Sequence, residues 1–325
     1  MERRKLQLTG GSTITVSLPR KWIDESRIGR GNEVSLIPQA NGTLVIDPRD
    51  EHYTHKKCRK LEVADEVDQQ LFRRLIGIYL TGTTELSVVS STRFTVRQRQ
   101  TVRDFSASVI GMEIVEEEAN RILLYDVTSS GALPFDRAVK RLYKIVRAMY
   151  DDAVSILQGS DILADEVIDR DREADKLYWF IDRQFNMTLE TLQLAEKVAG
   201  GLPHGQFFTH TARALERIGD HACRLAEAAE EMETADSRLL KLAVEAGGIM
   251  EDAMASFSAI RAKAAVGIVD RGKAYRNRCQ HYLQQYAART PDEPLSLFMA
   301  LESIIRTAMY STDIAEATIN FASQD

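Results

Sequence analysis

IDRDREADKLYWFIDRQF (168–185) and ALERIGDHACRLAE (214–227) decide how this chain is read. In each stretch two acids stand four residues apart, Asp171 with Asp175 and Glu216 with Asp220. On an α-helix that spacing stacks both side chains on one face. Apolar or small residues run beside them, Val167, Ala174, Leu177 and Ile181 in the first stretch and Leu215, Gly219, Ala222 and Ala226 in the second. Two packed helices with carboxylates along their seam follow from this pattern. Like charges repel there unless a cation lies between them. Hard oxygen ligands arriving in pairs from facing helices are how carboxylate metal sites are built in helical bundles. His221 adjoins Asp220 but points about 100° further round the helix, so capping or hydrogen bonding is expected of it rather than ligation.

Helical patterning continues on both sides of these stretches. After Pro134, Val139, Leu142, Val146, Met149, Ala153 and Ile156 recur at steps of three and four, a stripe that needs partner helices. Breaks are expected near Gly159-Ser160, Gly200-Gly201-Leu202-Pro203, Thr234-Ala235-Asp236, Gly267 and Thr290-Pro291, which leaves six long helices. These helices repeat. Asp152-Ala153 corresponds to Asp252-Ala253, Ile168 to Ile268 and Ala174 to Ala274, while Leu225-Ala226-Glu227 falls on Ile314-Ala315-Glu316 at a smaller shift. The smaller shift implies a shorter helix connection in the second copy. The C-terminal half is therefore expected to be all-α, two tandem three-helix bundles over 133–234 and 235–325. Met149, Tyr178, Trp179 and Phe180 are read as core or interface filling.

This half resembles the PhoU family of phosphate-uptake regulators. ALERIGDHACRLAE is close to that family's signature, and IDRDREADKLYWFIDRQF is similar to the acidic helix that precedes it. The resemblance implies a metal role for Asp171, Asp175, Glu216 and Asp220, which would hold divalent ions, iron or zinc, on the first bundle. It also implies a phosphate-sensing partner or the ATPase of a phosphate ABC transporter. The second copy departs from the pattern, with Arg271, Tyr275, Ile305 and Met309 at the equivalent places. None of these is a normal hard-cation ligand, so metal is expected at the first bundle alone.

The front of the chain differs in kind. Residues 1–50 hold eight Lys/Arg against six acids, although the whole chain carries a net charge of −6. Residues 5–9 and 14–18 alternate around a Gly10-Gly11 turn, Pro19 opens the short helical segment PRKWIDE, and EVSLIP and TLVID are joined by an Asn41-Gly42 turn signal. A β-rich unit of about 50 residues hardly buries a core alone, so a second copy of itself is the expected partner. KLQLTGGSTITVSLPRKWIDESRIGRGNEVSLIPQANGTLVIDP resembles a SpoVT/AbrB-type swapped-hairpin domain. That resemblance implies a homodimeric head that binds DNA, with Arg3, Arg4, Lys5, Arg20 and Lys21 facing phosphates.

The polar stretch DPRDEHYTHKKCRK (47–60) reads as a linker, and residues 51–132 are taken as its remainder followed by a small α/β domain. Its helical stripe is Leu71, Leu75, Ile78 and Tyr79, LSVVS is a buried strand, VRQRQTVRDFSASVIG is a helix, and MEIVEE with RILLYDV forms a closing hairpin. Lys56, Lys57, Arg59 and Lys60 make a basic run, read as a solvated face.

Composition narrows the function. Cys58, Cys223 and Cys279 are far apart and match no zinc or disulfide spacing, so they are read as reduced packing residues of a cytoplasmic protein. No stretch approaches the roughly 18 apolar residues of a membrane span. No nucleophile with a base, no phosphate-cradling loop and no triad order is present, so the chain is read as a regulator and not an enzyme. The expected whole is a multidomain phosphate-signalling regulator of DNA-binding type. Two alternatives stay open: a transporter adaptor whose head is a dimerisation clasp, and a plain transcription factor whose helices only dimerise it.

Overall fold

A computed structural model describes residues 2–38, 42–48, 57–64, 66, 68–128, 133–190, 201–232, 235–287 and 295–324. The chain divides into two compact units, residues 1–55 and 56–325.

In the first unit, β1 (Gln7–Thr9) pairs antiparallel with β2 (Thr13–Thr15), and β3 (Ser35–Pro38) with β4 (Leu44–Asp47). Gly10 and Gly11 turn the first hairpin at φ 63° and 87°, a conformation that costs glycine nothing. Between the hairpins lies the short helix α1 (Arg20–Glu25), entered from Pro19 as expected. Asn41 of the expected second turn lies outside the described residues. Both strands of the first hairpin are wholly exposed. Leu6, Leu8, Ile14, Leu36 and Leu44 are each more than half exposed, so this unit leaves apolar side chains uncovered.

The second unit opens with a four-stranded sheet in the order β5-β6-β8-β7, formed by β5 (Cys58–Val63), β6 (Glu85–Ser90), β7 (Met112–Glu117) and β8 (Arg121–Asp126). β5 and β6 are parallel, so a crossover must join them, and α2 (Asp68–Leu80) supplies it. A capping box of Thr95 and Gln98 starts α3 (Val96–Ser108). Leu71, Leu75, Tyr79, Leu86, Val88, Phe105 and Leu124 form a fully buried core. The expected linker is too long at its end. Cys58, Arg59 and Lys60 are the exposed start of β5, and only Leu61 and Val63 of that strand are buried. Cys58 is thus an exposed thiol and not a packing residue.

Six long helices follow among the described residues: α4 (Phe135–Leu157), α5 (Ala164–Glu190), α6 (Leu202–Glu230), α7 (Ser237–Ala259), α8 (Ala262–Ala287) and α9 (Leu295–Ala322). The stripe predicted on α4 is buried along its length. Both three-helix sets share one continuous core, in which α6 packs on α9 and α4 on α7. Tyr150 donates to the Ala243 carbonyl at 2.8 Å and Arg147 to the Gly247 carbonyl at 2.9 Å, stitching the sets together. The interval between Ala287 and Leu295 is shorter than that between Glu190 and Leu202, in line with the smaller repeat shift. The predicted break at Thr234-Ala235-Asp236 falls between α6 and α7, where the Asp236 side chain caps α7, although Thr234 itself, like Thr290-Pro291, lies outside the described residues. Gly267 breaks nothing and sits inside α8. The chain instead turns at Ile260, a left-handed residue at φ 48° and ψ 49°. Among the described residues no helix is long and apolar enough to cross a membrane.

Candidate functional site

Helix α5 presents one stripe to the core, Val167, Ala174, Leu177 and Ile181, each no more than 1% exposed. Asp171 and Asp175 flank that stripe, half-buried. On α6, Leu215, Ile218, Ala222 and Ala226 are fully buried, and Glu216 and Asp220 are half-buried beside them. The two helices meet closely because Gly219 has no side chain. A Cβ there would lie 3.3 Å from Asp171 Oδ1 and 3.6 Å from Val146 Cγ2. The structure therefore brings the four predicted carboxylates to one seam.

Their electrostatics show that they act on one another. Burial, then the charge of Asp220, pushes Asp171 up to about 6. Burial, then Asp171, Glu216 and Asp220, pushes Asp175 to about 7. Burial and Asp220 likewise raise Glu216 to about 7, against the opposing pull of Arg217 and Arg213. Asp220 is raised by burial and lowered in part by Arg224 and Arg217. The seam is thus short of positive partners, with Arg217 on Glu216 at 3.6 Å and Arg224 near Asp220, so burial and mutual repulsion favour protonated carboxyls near neutral pH. Asp171 Oδ1 is buried and makes no hydrogen bond among the described residues. Such a hard, oxygen-only, undercompensated donor set suits a hard cation. Among the described residues, however, no three His, Cys, Asp or Glu side chains are gathered tightly enough to enclose one ion as they stand.

Several contributors escaped the sequence reading. Asp182 continues the line of Asp175 seven residues on and is also raised by burial. Arg213, one turn before Glu216, holds the Tyr178 hydroxyl at 3.1 Å and moderates both Glu216 and Asp182. Burial, then the charges of Asp171, Asp220, Glu227 and Asp175, lifts the Cys223 thiol to about 12. The signal for all three was the heptad spacing from the paired acids. His221 behaves as predicted, as a buried hydrogen-bonding residue. Its Nδ1 lies 3.5 Å from Ser303 Oγ, and burial pushes it down to about 4.

The second bundle is built differently at the equivalent place. Arg271 donates to Asp252 at 2.7 Å, and Tyr275 is fully buried with its hydroxyl donating to the Leu242 carbonyl at 2.9 Å. Ile305 and Met309 are half-buried on α9. A guanidinium and a phenol stand where the first bundle has two aspartates, and Gly272 packs against Thr312.

The predicted DNA-facing residues Arg3, Arg4, Lys5, Arg20 and Lys21 are all exposed. Arg4 pairs with Glu2, Arg20 with Asp24 at 3.1 Å and Lys21 with Glu25 at 3.8 Å. Lys57 and Lys60, from the predicted basic run, hold the Thr81 carbonyl and Glu62 respectively. Lys56 lies outside the described residues.

Residues 139–229 match the PhoU domain family, a span from α4 to α6 that contains all four carboxylates. Among solved structures the chain is similar to PhoU from Pseudomonas aeruginosa, with 21% identity, a TM-score of 0.52, and coverage of 59% of this chain and 96% of that one. It is also similar to the phosphate transport system regulatory protein PhoU from Streptococcus pneumoniae, with 17% identity, a TM-score of 0.49, and coverage of 59% and 94%. No curated protein matches. The domain match covers the first three-helix set alone, and the Pseudomonas likeness shows a shared fold. Residues 1–55 lie outside the matched span.

Proposed function

We propose that this chain is a non-enzymatic regulator of phosphate transport whose first bundle reads phosphate status through a metal held by Asp171, Asp175, Glu216 and Asp220. The observation that carries this reading is the PhoU domain match over the helices on which those four carboxylates share one seam. A bound cation supplies the positive charge that the seam lacks and leaves coordination positions open to an anion such as phosphate. The chain's own residues then do the rest. Gly219 lets the helices close, Arg213 and Arg217 set the field at Glu216, and the buried stripes keep both helices in register. The ATPase of a phosphate transporter is the protein partner this reading implies. Uptake of labelled phosphate in the host tests it. Loss of the gene should make uptake independent of external phosphate, and Asp171→Asn with Glu216→Gln should fail to restore the dependence that the unaltered gene restores. Uptake that stays phosphate-dependent without the gene rules the reading out.

The head belongs to the same proposal. A second copy covers Leu6, Leu8, Ile14, Leu36 and Leu44, and Arg3, Arg4, Lys5, Arg20 and Lys21 of the paired heads meet DNA phosphates. Such a dimer would let the bundles bias the grip on DNA, provided the effector prefers one arrangement. The ion pairs of Arg4, Arg20 and Lys21 favour a second reading, in which the head is a clasp alone. Retention on duplex DNA separates the two. Replacing Arg3, Arg4 and Arg20 with Ala should weaken retention and flatten its salt slope by about 1 for each phosphate left without its cation, whereas a clasp keeps the dimer and shows no change.

A further inference from the structure

Among the described residues the second bundle carries a groove of about 540 Å³ between α7 and α8. That volume lies within the range of small-molecule sites, roughly 300–1,000 Å³. Its charge runs against that of the chain. Arg238, Lys241 and Arg278 line it with one carboxylate, Glu245, in a protein of net charge −6. Arg278 is committed to Glu245 as an ion pair. Arg238 holds Asp236 at 3.5 Å and donates to the Gln285 side-chain oxygen at 3.3 Å, both long contacts, and Lys241 pairs with no described carboxylate. Two cations one helical turn apart on α7 are thus held by no short ion pair, and an incoming anion can displace the long contacts of Arg238.

The rest of the groove is not shaped for a bare anion. Leu242 and Tyr282 form its apolar side, and Tyr282 is only 5% exposed. The Arg238 guanidinium lies 5.4 Å over the Tyr282 ring, a flat cationic and aromatic step on which a planar ring can stack. Asn277 brings to the rim an amide able to donate and accept a hydrogen bond, while Gln285 is tied to Arg238 at 3.3 Å and to His281 at 2.7 Å and braces the groove. Phosphate charge, a flat ring and a polar ring edge are the three parts of a nucleotide. We propose that this groove binds a nucleoside phosphate, with Arg238 and Lys241 on the phosphates and the base against the Arg238–Tyr282 step. The site is independent of the carboxylate seam, which lies on α5 and α6.

Isothermal titration of the full chain in buffer containing EDTA tests the proposal, because the chelator silences any route through metal on the carboxylates. ATP or GTP should bind saturably at one site per chain, with adenosine and inorganic phosphate each at least tenfold weaker. Arg238→Glu with Lys241→Glu, both on exposed side chains, should weaken the nucleotide at least tenfold while the helical circular dichroism of the chain stays unchanged. Lys241→Gln alone should weaken it severalfold, and Lys241→Arg should keep it. The proposal is overturned if neither ATP nor GTP saturates, if the charge-reversed chain binds as the unaltered one does, or if polyglutamate binds where nucleotides do not.

Discussion

Asp175 shows most plainly what the fold costs at single residues. Its carboxyl is held at about 7 by burial and by three neighbouring acids, far above its usual 3.8. In the folded chain it keeps a proton that the unfolded chain releases, so with metal removed the folded state binds more protons between about pH 4 and pH 7. Stability contributed this way is complete at low pH and lost as pH rises through 7. His221, held at about 4, acts in the opposite direction over part of that range but is one group against Asp171, Asp175 and Glu216. The chelated protein should therefore melt about 2–5 °C higher at pH 5.5 than at pH 7.5, read by calorimetry. Asp175→Asn should raise the pH 7.5 value and reduce the difference. A metal-free protein that melts lower at pH 5.5 would contradict the electrostatic account. The paired acids, and the Arg271 and Tyr275 that stand in their place in the second copy, were legible in the sequence. Arg213 and Cys223 were marked only by their heptad spacing from the acids, and what Gly219 of the small-residue stripe does depends on how closely α5 and α6 approach.

At the scale of elements, helix faces were more legible than helix ends. The α4 stripe from Val139 to Ile156 is buried as its period demands, since only a core-facing helix repeats apolar residues at that interval. Gly267 misled because a glycine inside a helix costs only about 1 kcal/mol, which packing on both sides easily outweighs. The actual break at Ile260 carried no sequence mark, since a β-branched residue is among the least expected in left-handed backbone. Ile260 is 46% exposed, so it gives up little burial when replaced. Ile260→Gly should stabilise the chain by about 1 kcal/mol in denaturant unfolding, by relieving that backbone. A loss of stability would show that the Ile260 side chain packs more than its exposure implies. Strand β5 was hidden for a different reason. Its exposed Cys58, Arg59 and Lys60 read as a charged run, and only two of its side chains reach the core.

Within residues 56–325, the α/β layer is fixed to the helix that carries the first acidic pair. Arg183 of α5 donates to the Thr83 carbonyl at 2.9 Å and to Asp126 at 2.6 Å, with both ion-pair side chains under 10% exposed. Its guanidinium lies 4.5 Å over the Tyr79 ring, Asn186 donates to the Leu80 carbonyl at 3.0 Å, and Trp179 meets Phe72 at 6.2 Å. Removing one partner strands a buried charge, so Asp126→Ala should cost about 3–5 kcal/mol in chemical unfolding, and a cost below about 1 kcal/mol would show that the pairing is incidental. A shift of α5 would therefore strain its bonds to the sheet. The most direct measurement is the metal content of the purified, dialysed chain beside the Asp171→Asn, Glu216→Gln double variant, by elemental analysis. The account predicts metal retained by the unaltered protein and absent from the variant. Equal metal content in both, or none in either, would contradict it.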